Sequence, residues 1–313
     1  MQSFALDCGT CHRQAWKAGI VVVVAAGNQG RNNSANTSGY ATIHAPGNDP
    51  YVITVGAMKT LGIASRADDL VASYSSKGPT LLDHVVKPDL VAPGNRMISL
   101  IGETTGLYQL SNSANFVPCS YYTTNCTGNS ITYYRLSGTS MATPMVSGAA
   151  ALLLQKYPAL TPDQVKARLM KTATKSFPQY STATDPTMGQ TYTSQYDIFT
   201  IGAGYLDVWA ALNNTDVLTG VALSLTARYD STSGNVYLVG ADGTVWGTGT
   251  VWGTGTVWGT SIVWGSGTVW GTGTVWGAST LQGFGTVWGT GTVWGTSTNT
   301  AAESIGIAIN GEQ

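Results

Sequence analysis

The residues with the clearest chemical potential lie around Ser140, in the run LSGTSMATP at positions 136–144. A serine that follows a Gly-Thr turn and begins an apolar helix has its backbone N–H at the positive end of the helix dipole. Such a place stabilises negative charge on a substrate oxygen, as acyl transfer requires. The run is therefore consistent with a site that stabilises an oxyanion, with a purely N-capping serine as the competing interpretation.

A second donor for the same oxygen is the side-chain amide of Asn28, which follows the apolar run IVVVVAAG at positions 20–27. A polar amide directly after a buried strand is presented at the edge of the sheet, where ligands of α/β proteins bind. The competing interpretation is an asparagine that forms a turn.

The elements that must position these residues are short strands alternating with helices. The continuous β-branched run at 20–25 predicts a strand covered on both faces. Positions 51–57 and 97–101 predict further short buried strands. Positions 11–18 predict a short helix, and Gly19 provides its stop.

Two helices follow the serine motif. The first, over 140–157, is apolar nearly all round, which predicts a central position, and Pro158 ends it. The second begins with Thr161-Pro162-Asp163-Gln164, a capping box with proline in the first turn. Its core face consists of Val165, Leu169 and Met170. This alternation predicts an α/β layered domain with a mostly parallel sheet.

The segment 243–302 has a different character, because it contains no charged residue and repeats every six positions. Gln282 replaces one tryptophan of the repeat, while Leu281 keeps the aliphatic position. An even period places every tryptophan on one face of an extended chain and every valine on the other. Ordered β-repeats and a low-complexity tail without fixed structure both fit this pattern. The repeated tryptophans are Trp246, Trp252, Trp258, Trp264, Trp270, Trp276, Trp288 and Trp294.

Composition excludes two classes of protein. Charged residues make up 10% of the 313 residues, the net charge is −1, and no block of Lys and Arg is present, so no nucleic-acid footprint exists. The longest strongly apolar run, 19–27, is shorter than the ~20 residues that span a bilayer.

The sequence begins without a signal-peptide pattern. It is nevertheless rich in Ser, Thr, Asn, Gly and Tyr, which favours an extracellular protein.

The motif GTSMATP at 138–144 resembles the catalytic-serine motif of the subtilisin-like serine peptidases. Further segments resemble that family in the same order along the chain: GIVVVVAAGN (19–28), DPYVITVGA (49–57), SYSSKGP (73–79), KPDLVAPG (87–94) and GAGYLDVWAAL (202–212). The resemblance covers about residues 5–212. It implies a subtilisin-like layered fold over 1–212 that is incomplete at its N-terminal side.

The resemblance also implies roles for particular residues. Ser140 would be the nucleophile, and Asn28 would form the oxyanion hole together with the Ser140 N–H. Peptide bonds of polypeptide substrates would be hydrolysed through an acyl-enzyme without a cofactor. Some relatives bind structural calcium, but no acidic cluster here has ligand-like spacing. The substrate would lie along Ala25, Ala26, Gly27, Gly138 and Thr139.

The chain departs from the family pattern in its triad. The family order is Asp, His, Ser, with both partners well upstream of the oxyanion asparagine. Here Asp7 and His12 precede Asn28 in the right order but stand too close together to lie on separate elements. His44 and His84 follow Asn28 beside turn signals and are expected in surface loops. We therefore expect a chain without its triad partners. It would be an inactive C-terminal part of a secreted protease from a truncated gene model, which would explain the missing signal peptide.

The cysteines carry two further expectations. Residues 103–134 look like an insertion relative to compact members of the family, within which Cys119 and Cys126 would form a disulfide in an oxidising compartment. The run CGTCH at 8–12 matches the attachment signature of c-type haem. The run falls on the helix that the protease resemblance already accounts for, so the favoured interpretation is a plain helix with a Cys8–Cys11 disulfide or free thiols.

The predicted organisation after residue 212 is a linker or short β segment at 213–242, the repeat at 243–302 and a tail at 303–313. A competing function follows from this region. A degenerate peptidase domain could present the tryptophan repeats at a cell surface, where they would stack on polysaccharide or on one another. The chain would then be a non-catalytic adhesion protein.

Overall fold

The computed structural model describes residues 11–33, 37–63, 65–101, 113–185, 189–217, 219–230, 235–239 and 311–312. The predicted repeat at 243–302, Asp7 and Cys8 lie outside the described residues. The same holds for the first part of the insertion at 103–134.

A parallel sheet forms the centre of the domain. Strand β2 (Ile53–Lys59) is buried at every position and pairs in parallel with β1 (Val23–Ala25) on one side and with β4 (Leu90–Pro93) on the other. The short strand β3 (Leu70–Val71) pairs antiparallel with the last two residues of β2. The prediction of a layered α/β domain with a mostly parallel sheet is confirmed for this core.

Strand β1 is shorter than the apolar run that predicted it. Pairing with β2 begins at Val23 opposite Ile53, and the side chain of Ile20 is 58% exposed. Among the described strands β1 pairs with β2 alone, so its other edge is open. An open edge on a valine-rich strand is unusual. Such strands normally lie inside a parallel sheet whose faces are covered by helices, and exposed edges tend to pair with further strands.

In the described part of the chain, five α-helices accompany the strands: α1 (residues 11–17), α2 (Thr139–Lys156), α3 (Pro162–Thr172), α4 (Ile198–Ile201) and α5 (Val208–Asn213). Helix α2 packs on β1, β2 and β4 and ends before Pro158, as predicted. Its expected burial on all sides is wrong within the described structure: one face is buried, while Met145 and Leu152 on the other are 40% and 45% exposed.

Helix α3 begins with the predicted capping box. The Gln164 N–H donates to Thr161 Oγ1 at 3.3 Å, and the Thr161 N–H donates to Gln164 Oε1 at 3.0 Å. The predicted core residues Val165, Leu169 and Met170 are all buried. Local side-chain chemistry therefore determines where this helix starts, while all residues from 165 to 170 are buried.

A second, antiparallel sheet joins β4 to the serine motif. Its strands are β5 (Met97–Leu100), β6 (Phe116–Pro118) and β7 (Asn129–Leu136), with β7 in the middle. The prediction of a buried strand at 97–101 is wrong in its burial, because Ile98 is 49% and Leu100 is 70% exposed. The predicted Cys119–Cys126 disulfide is present, with the two Cα atoms 5.7 Å apart.

Two hairpins complete the described domain. They are formed by β8 (Tyr180–Thr184) with β9 (Thr191–Gln195) and by β10 (Thr226–Asp230) with β11 (Asn235–Val239). The second hairpin lies in the predicted linker or short β segment at 213–242. Leu225 and Leu238 of this region are buried in the main hydrophobic core, so the region packs as part of the domain.

A fully buried charge cluster joins the sheet to α3. The Asp89 carboxylate forms ion pairs with two lysines: Lys87 Nζ lies 2.7 Å from Oδ2, and Lys166 Nζ lies 3.2 Å from Oδ1. It also accepts from the Thr54 N–H at 2.7 Å and from the Ser224 hydroxyl at 2.5 Å. Burial raises the pKa of Asp89, but the two lysine charges outweigh it, so the pKa lies below its usual value.

Candidate active site

The Ser140 side chain lies at the N-terminal end of α2, where it is exposed. As the second residue of the helix, its backbone N–H belongs to the first turn, whose N–H groups have no acceptor within the helix. Within the described part of the chain the Ser140 hydroxyl makes no hydrogen bond. The hydroxyl and the N–H are therefore both open to a bound molecule.

The structure brings Asn28 to the same place, although 111 residues separate it from Thr139. Asn28 Oδ1 accepts from the Thr139 N–H at 2.9 Å and from the Thr139 hydroxyl at 3.0 Å. The Thr139 Oγ1 in turn accepts from the Gly27 N–H at 3.1 Å. Because Oδ1 is held by two donors, the amide orientation is determined and the Nδ2–H₂ group remains as a donor.

Gly138 completes this arrangement because no other residue fits there. Its φ is +144°, a conformation that side-chain-bearing residues rarely adopt, and a Cβ at this position would lie 3.0 Å from Asn28 Nδ2. Its N–H donates to the Gly94 carbonyl at 2.8 Å, which fastens the turn to the end of β4. Asn28 and Gly94 each follow a parallel strand, so the site lies at the carboxyl edge of the sheet.

The remaining residues predicted to line the substrate site converge on this edge. Ala25 is the last residue of β1, and the Ala26 N–H donates to the Val55 carbonyl at 2.9 Å. Gly27 and Thr139 are linked by the hydrogen bond described above. The structure thus brings together the two segments, 25–28 and 138–140, from which these residues come, while their contact with substrate stays a prediction.

The described histidines lie in different parts of the domain. His44 contacts the residue that follows Asn28, since its Nε2 lies 2.6 Å from Gln29 Oε1. Burial lowers the pKa of His44. His12 precedes Arg13, which approaches Asp49 at 3.9 Å near the start of β2, at the opposite end of the parallel sheet. The backbone carbonyl of His84 accepts from the Ala227 N–H, beside the β10–β11 hairpin.

Sequence reasoning missed the role of Thr139 as the group that orients the Asn28 amide, and it missed the proximity of His44 to the site. Neither has a local signal, since both depend on contacts between distant segments. Within the described residues no three His, Cys, Asp or Glu side chains are grouped as a metal site would require. The expectation of a reaction without a cofactor therefore stays a prediction. Cys11 carries a free, exposed thiol.

The arrangement has a definite chemical capability. A hydroxyl at the positive end of a helix, beside an oriented amide N–H₂ and a free backbone N–H, can receive a carbonyl whose oxygen becomes negative on attack. Such an arrangement at the carboxyl edge of an α/β sheet is typical of serine hydrolases.

The chain belongs to the subtilase family, whose family model matches residues 5–190. The predicted resemblance to subtilisin-like serine peptidases and the predicted fold class are thereby confirmed.

Curated relatives agree with this assignment. The chain is 45% identical over 161 residues to "Serine protease AprX" of Bacillus subtilis, 38% over 161 residues to "Subtilisin DY" of Bacillus licheniformis and 37% over 172 residues to "Extracellular serine proteinase" of Thermus sp.. These matches cover 51–55% of this chain and 31%, 42% and 30% of the respective relatives. The chain therefore spans a third to two fifths of their length.

Similar solved structures include fervidolysin from Fervidobacterium pennivorans, a keratinolytic enzyme related to subtilisin. It is 25% identical with a TM-score of 0.42, over 66% of this chain and 24% of that chain. A protease from Pseudoalteromonas arctica is 26% identical with a TM-score of 0.40, over 65% of this chain and 45% of that chain. No helix among the described residues has the length and apolar character needed to cross a membrane.

Proposed function

We propose that this chain supplies the nucleophile and the oxyanion hole of a subtilisin-like serine endopeptidase. In this proposal the Ser140 Oγ attacks the peptide carbonyl, and the resulting oxyanion is bound by Asn28 Nδ2 and the Ser140 N–H. One observation carries the proposal. The Thr139 N–H and hydroxyl both donate to Asn28 Oδ1, so the Asn28 Nδ2–H₂ group remains as a donor beside the N-terminal end of α2.

The reaction also needs a group that accepts the Ser140 proton, because a serine hydroxyl is a weak nucleophile at neutral pH. No described imidazole hydrogen-bonds with Ser140, and the nearby His44 is engaged with Gln29. We therefore propose that the base comes from polypeptide outside the described residues. In the family the triad residues Asp and His precede the oxyanion asparagine.

Two structural features indicate where such a segment would attach. The free edge of β1 offers unpaired backbone N–H and C=O groups to a further strand. The apolar side chains of Met145 and Leu152 form an exposed face on α2, which a further element would cover. A strand added next to β1 would end beside Asn28, at the edge of the sheet where a proton acceptor is required.

The proposed substrates are polypeptides, and the proposed compartment is extracellular. The Cys119–Cys126 disulfide supports this compartment, since disulfides persist in oxidising surroundings and are rare in the cytosol. No cofactor takes part in this mechanism, because the hydroxyl, the two donors and the proton acceptor complete the acyl transfer.

The proposal is tested with a chimera in which the part of AprX that precedes its matched region is fused before residue 5. We expect the chimera to hydrolyse casein, and we expect Ser140→Ala to abolish that activity. Ser147→Ala is the matched control, since Ser147 is an exposed serine on the same helix whose hydroxyl donates to the Thr143 carbonyl at 3.1 Å.

A chimera that unfolds cooperatively but hydrolyses nothing would contradict the proposal. That result would favour the competing function, a non-catalytic surface protein that presents the tryptophan repeats. The repeats themselves lie outside the described residues.

A further inference from the structure

Glu312 is buried in the peptidase domain, far in sequence from the residues that hold it, and is 3% exposed. Its carboxylate pairs with Arg31 at 3.0 Å and lies 3.7 Å from the Lys59 ammonium. It also accepts from the Ser73 N–H at 3.0 Å and from the Ser73 hydroxyl. Three hydrogen-bond donors, from Arg31 and Ser73, and the charge of Lys59 thus converge on one side-chain carboxylate.

The backbone of the same residue is held as well. The Glu312 N–H donates to Asn95 Oδ1 at 2.7 Å, and the Asn95 Nδ2–H₂ donates to the Glu312 carbonyl at 2.6 Å. Asn95 is itself buried. The Asn95 side chain thus hydrogen-bonds the N–H and the C=O of one residue, which matches an extended backbone, as a neighbouring β-strand would.

The position before Glu312 accepts glycine and no larger residue. Gly311 has a φ of +66°, and a Cβ there would collide with Ser137 Oγ and lie 2.8 Å from Arg96 Cγ. Ser137 is fixed in place, because its Oγ accepts from the Arg96 N–H at 2.8 Å. The docked residues therefore touch the segment that leads directly into Gly138 and Ser140.

The charges of this pocket are balanced with the glutamate in place. Arg31 also pairs with Asp185 at 2.8 Å, and its Nε–H donates to Ser73 Oγ at 2.7 Å. Arg31 and Lys59 are both buried, so their charges have lost most of their hydration. Without the Glu312 carboxylate, the buried charges of Arg31 and Lys59 would have less negative charge near them, which would lower the stability of the fold.

From these contacts we propose that Arg31, Lys59, Ser73 and Asn95 form a binding site for a Gly-Glu dipeptide segment, filled in this chain by Gly311 and Glu312. The charged donors select the carboxylate, Asn95 selects an extended backbone, and Ser137 selects glycine. The site is distinct from the proposed nucleophile and does not depend on the proposed function.

The first test is thermal unfolding of the full chain. Glu312→Gln keeps the shape of the side chain and removes its charge, and we expect it to lower Tm by about 10 °C. Glu303→Gln makes the same chemical change nine residues upstream and should shift Tm by less than about 2 °C. Equal melting temperatures for the two variants would overturn the proposal.

The second test separates recognition from a general packing effect. The peptide acetyl-Asn-Gly-Glu-Gln, which reproduces residues 310–313, is added in excess to full-length Glu312→Ala. We expect it to raise the Tm of this variant and to leave the Tm of the wild-type chain unchanged, since Glu312 already fills the pocket. The peptides acetyl-Asn-Gly-Gln-Gln and acetyl-Asn-Ala-Glu-Gln should have no effect. Absence of rescue, or equal rescue by all three peptides, would overturn the proposal.

Discussion

At the scale of single residues, the candidate site depends on how one amide is oriented. In the proposed mechanism Asn28 can act as a donor because Thr139 donates two hydrogen bonds to its side-chain oxygen. The resemblance to the family predicted Ser140 and Asn28, and each also has a local signal, since Ser140 follows a turn at the start of an apolar helix and Asn28 follows an apolar strand. Neither the resemblance nor these local signals gave an indication of Thr139 as the orienting group, because that contact joins segments 111 residues apart.

Replacement of Asn28 by alanine tests this arrangement in the AprX chimera. We expect kcat to fall by about 10² to 10³, the effect known for loss of an oxyanion-hole donor in subtilisin, because the donor acts on charge that develops during the reaction. KM should change little. Steady-state kinetics on a peptide substrate provides the measurement.

Asn33→Ala is the matched control, since the Asn33 side chain accepts from the Ser38 N–H in an exposed loop. Its kcat should stay within twofold of the unsubstituted chimera. An Asn28→Ala enzyme with kcat also within twofold would show that Asn28 is not the oxyanion donor.

At the scale of elements, buried charge fastens the sheet to the helices. The carboxylate of Asp89 on the strand side faces two fully buried lysines, one of them from α3. Replacement by asparagine would leave both ammonium groups without a counter-charge in the core. We expect Asp89→Asn to lower the free energy of unfolding by about 3–5 kcal/mol, as measured by urea denaturation.

The control for this prediction is Asp216→Asn. Asp216 pairs with Lys171 at the surface, where its side chain is 58% exposed, and such pairs contribute about 1 kcal/mol or less. If the two substitutions had equal effects, the cluster around Asp89 would not be a major source of stability.

Asp197 gives a prediction about pH. It caps α4 by accepting from the Phe199 and Thr200 N–H groups at 2.8 and 3.0 Å, and the Tyr40 hydroxyl donates to it. Burial raises the pKa of Asp197 to about 6, although the Tyr40 hydrogen bond and the charge of Lys77 oppose the shift.

Because the folded pKa of Asp197 exceeds the unfolded value, its contribution to stability is present at low pH and is lost as the pH rises from about 4 to about 6. Asp197→Asn retains a good N-cap but does not titrate. We expect the wild-type chain to lose up to about 3 kcal/mol relative to this variant over that range. Urea denaturation at pH 4, 5 and 6 measures the difference, and parallel curves for both proteins would contradict the assignment.

Prediction from the sequence succeeded for elements whose signals are local and failed for properties set by distant contacts. The capping box at Thr161 predicted the start of α3, and the apolar residues that follow it predicted its buried positions Val165, Leu169 and Met170. The strand at 97–101 was expected to be buried because it is apolar, yet it lies in a peripheral antiparallel sheet with Leu100 exposed. The apolar character of α2 predicted burial all round, which the described elements do not provide.

At the scale of the whole molecule, two features of the described domain matter: the open edge of β1 in the parallel sheet and the docked residues Gly311 and Glu312. The open edge of β1 and the exposed face of α2 indicate where further polypeptide would pack. The docked Glu312 lies 217 residues from its partner Asn95, a contact that no sequence pattern predicts. We therefore propose that the site is one half of a catalytic centre, whose proton acceptor lies outside the described residues.

The most direct test of that claim is the mass of the tryptic peptide that contains Ser140 after treatment with a fluorophosphonate, a reagent that reacts with activated serines. The account predicts no adduct on the 313-residue chain, because its described histidines offer Ser140 no base, and a stoichiometric adduct on Ser140 in the AprX chimera. A stoichiometric adduct on the chain by itself, or a folded chimera without any adduct, would contradict it.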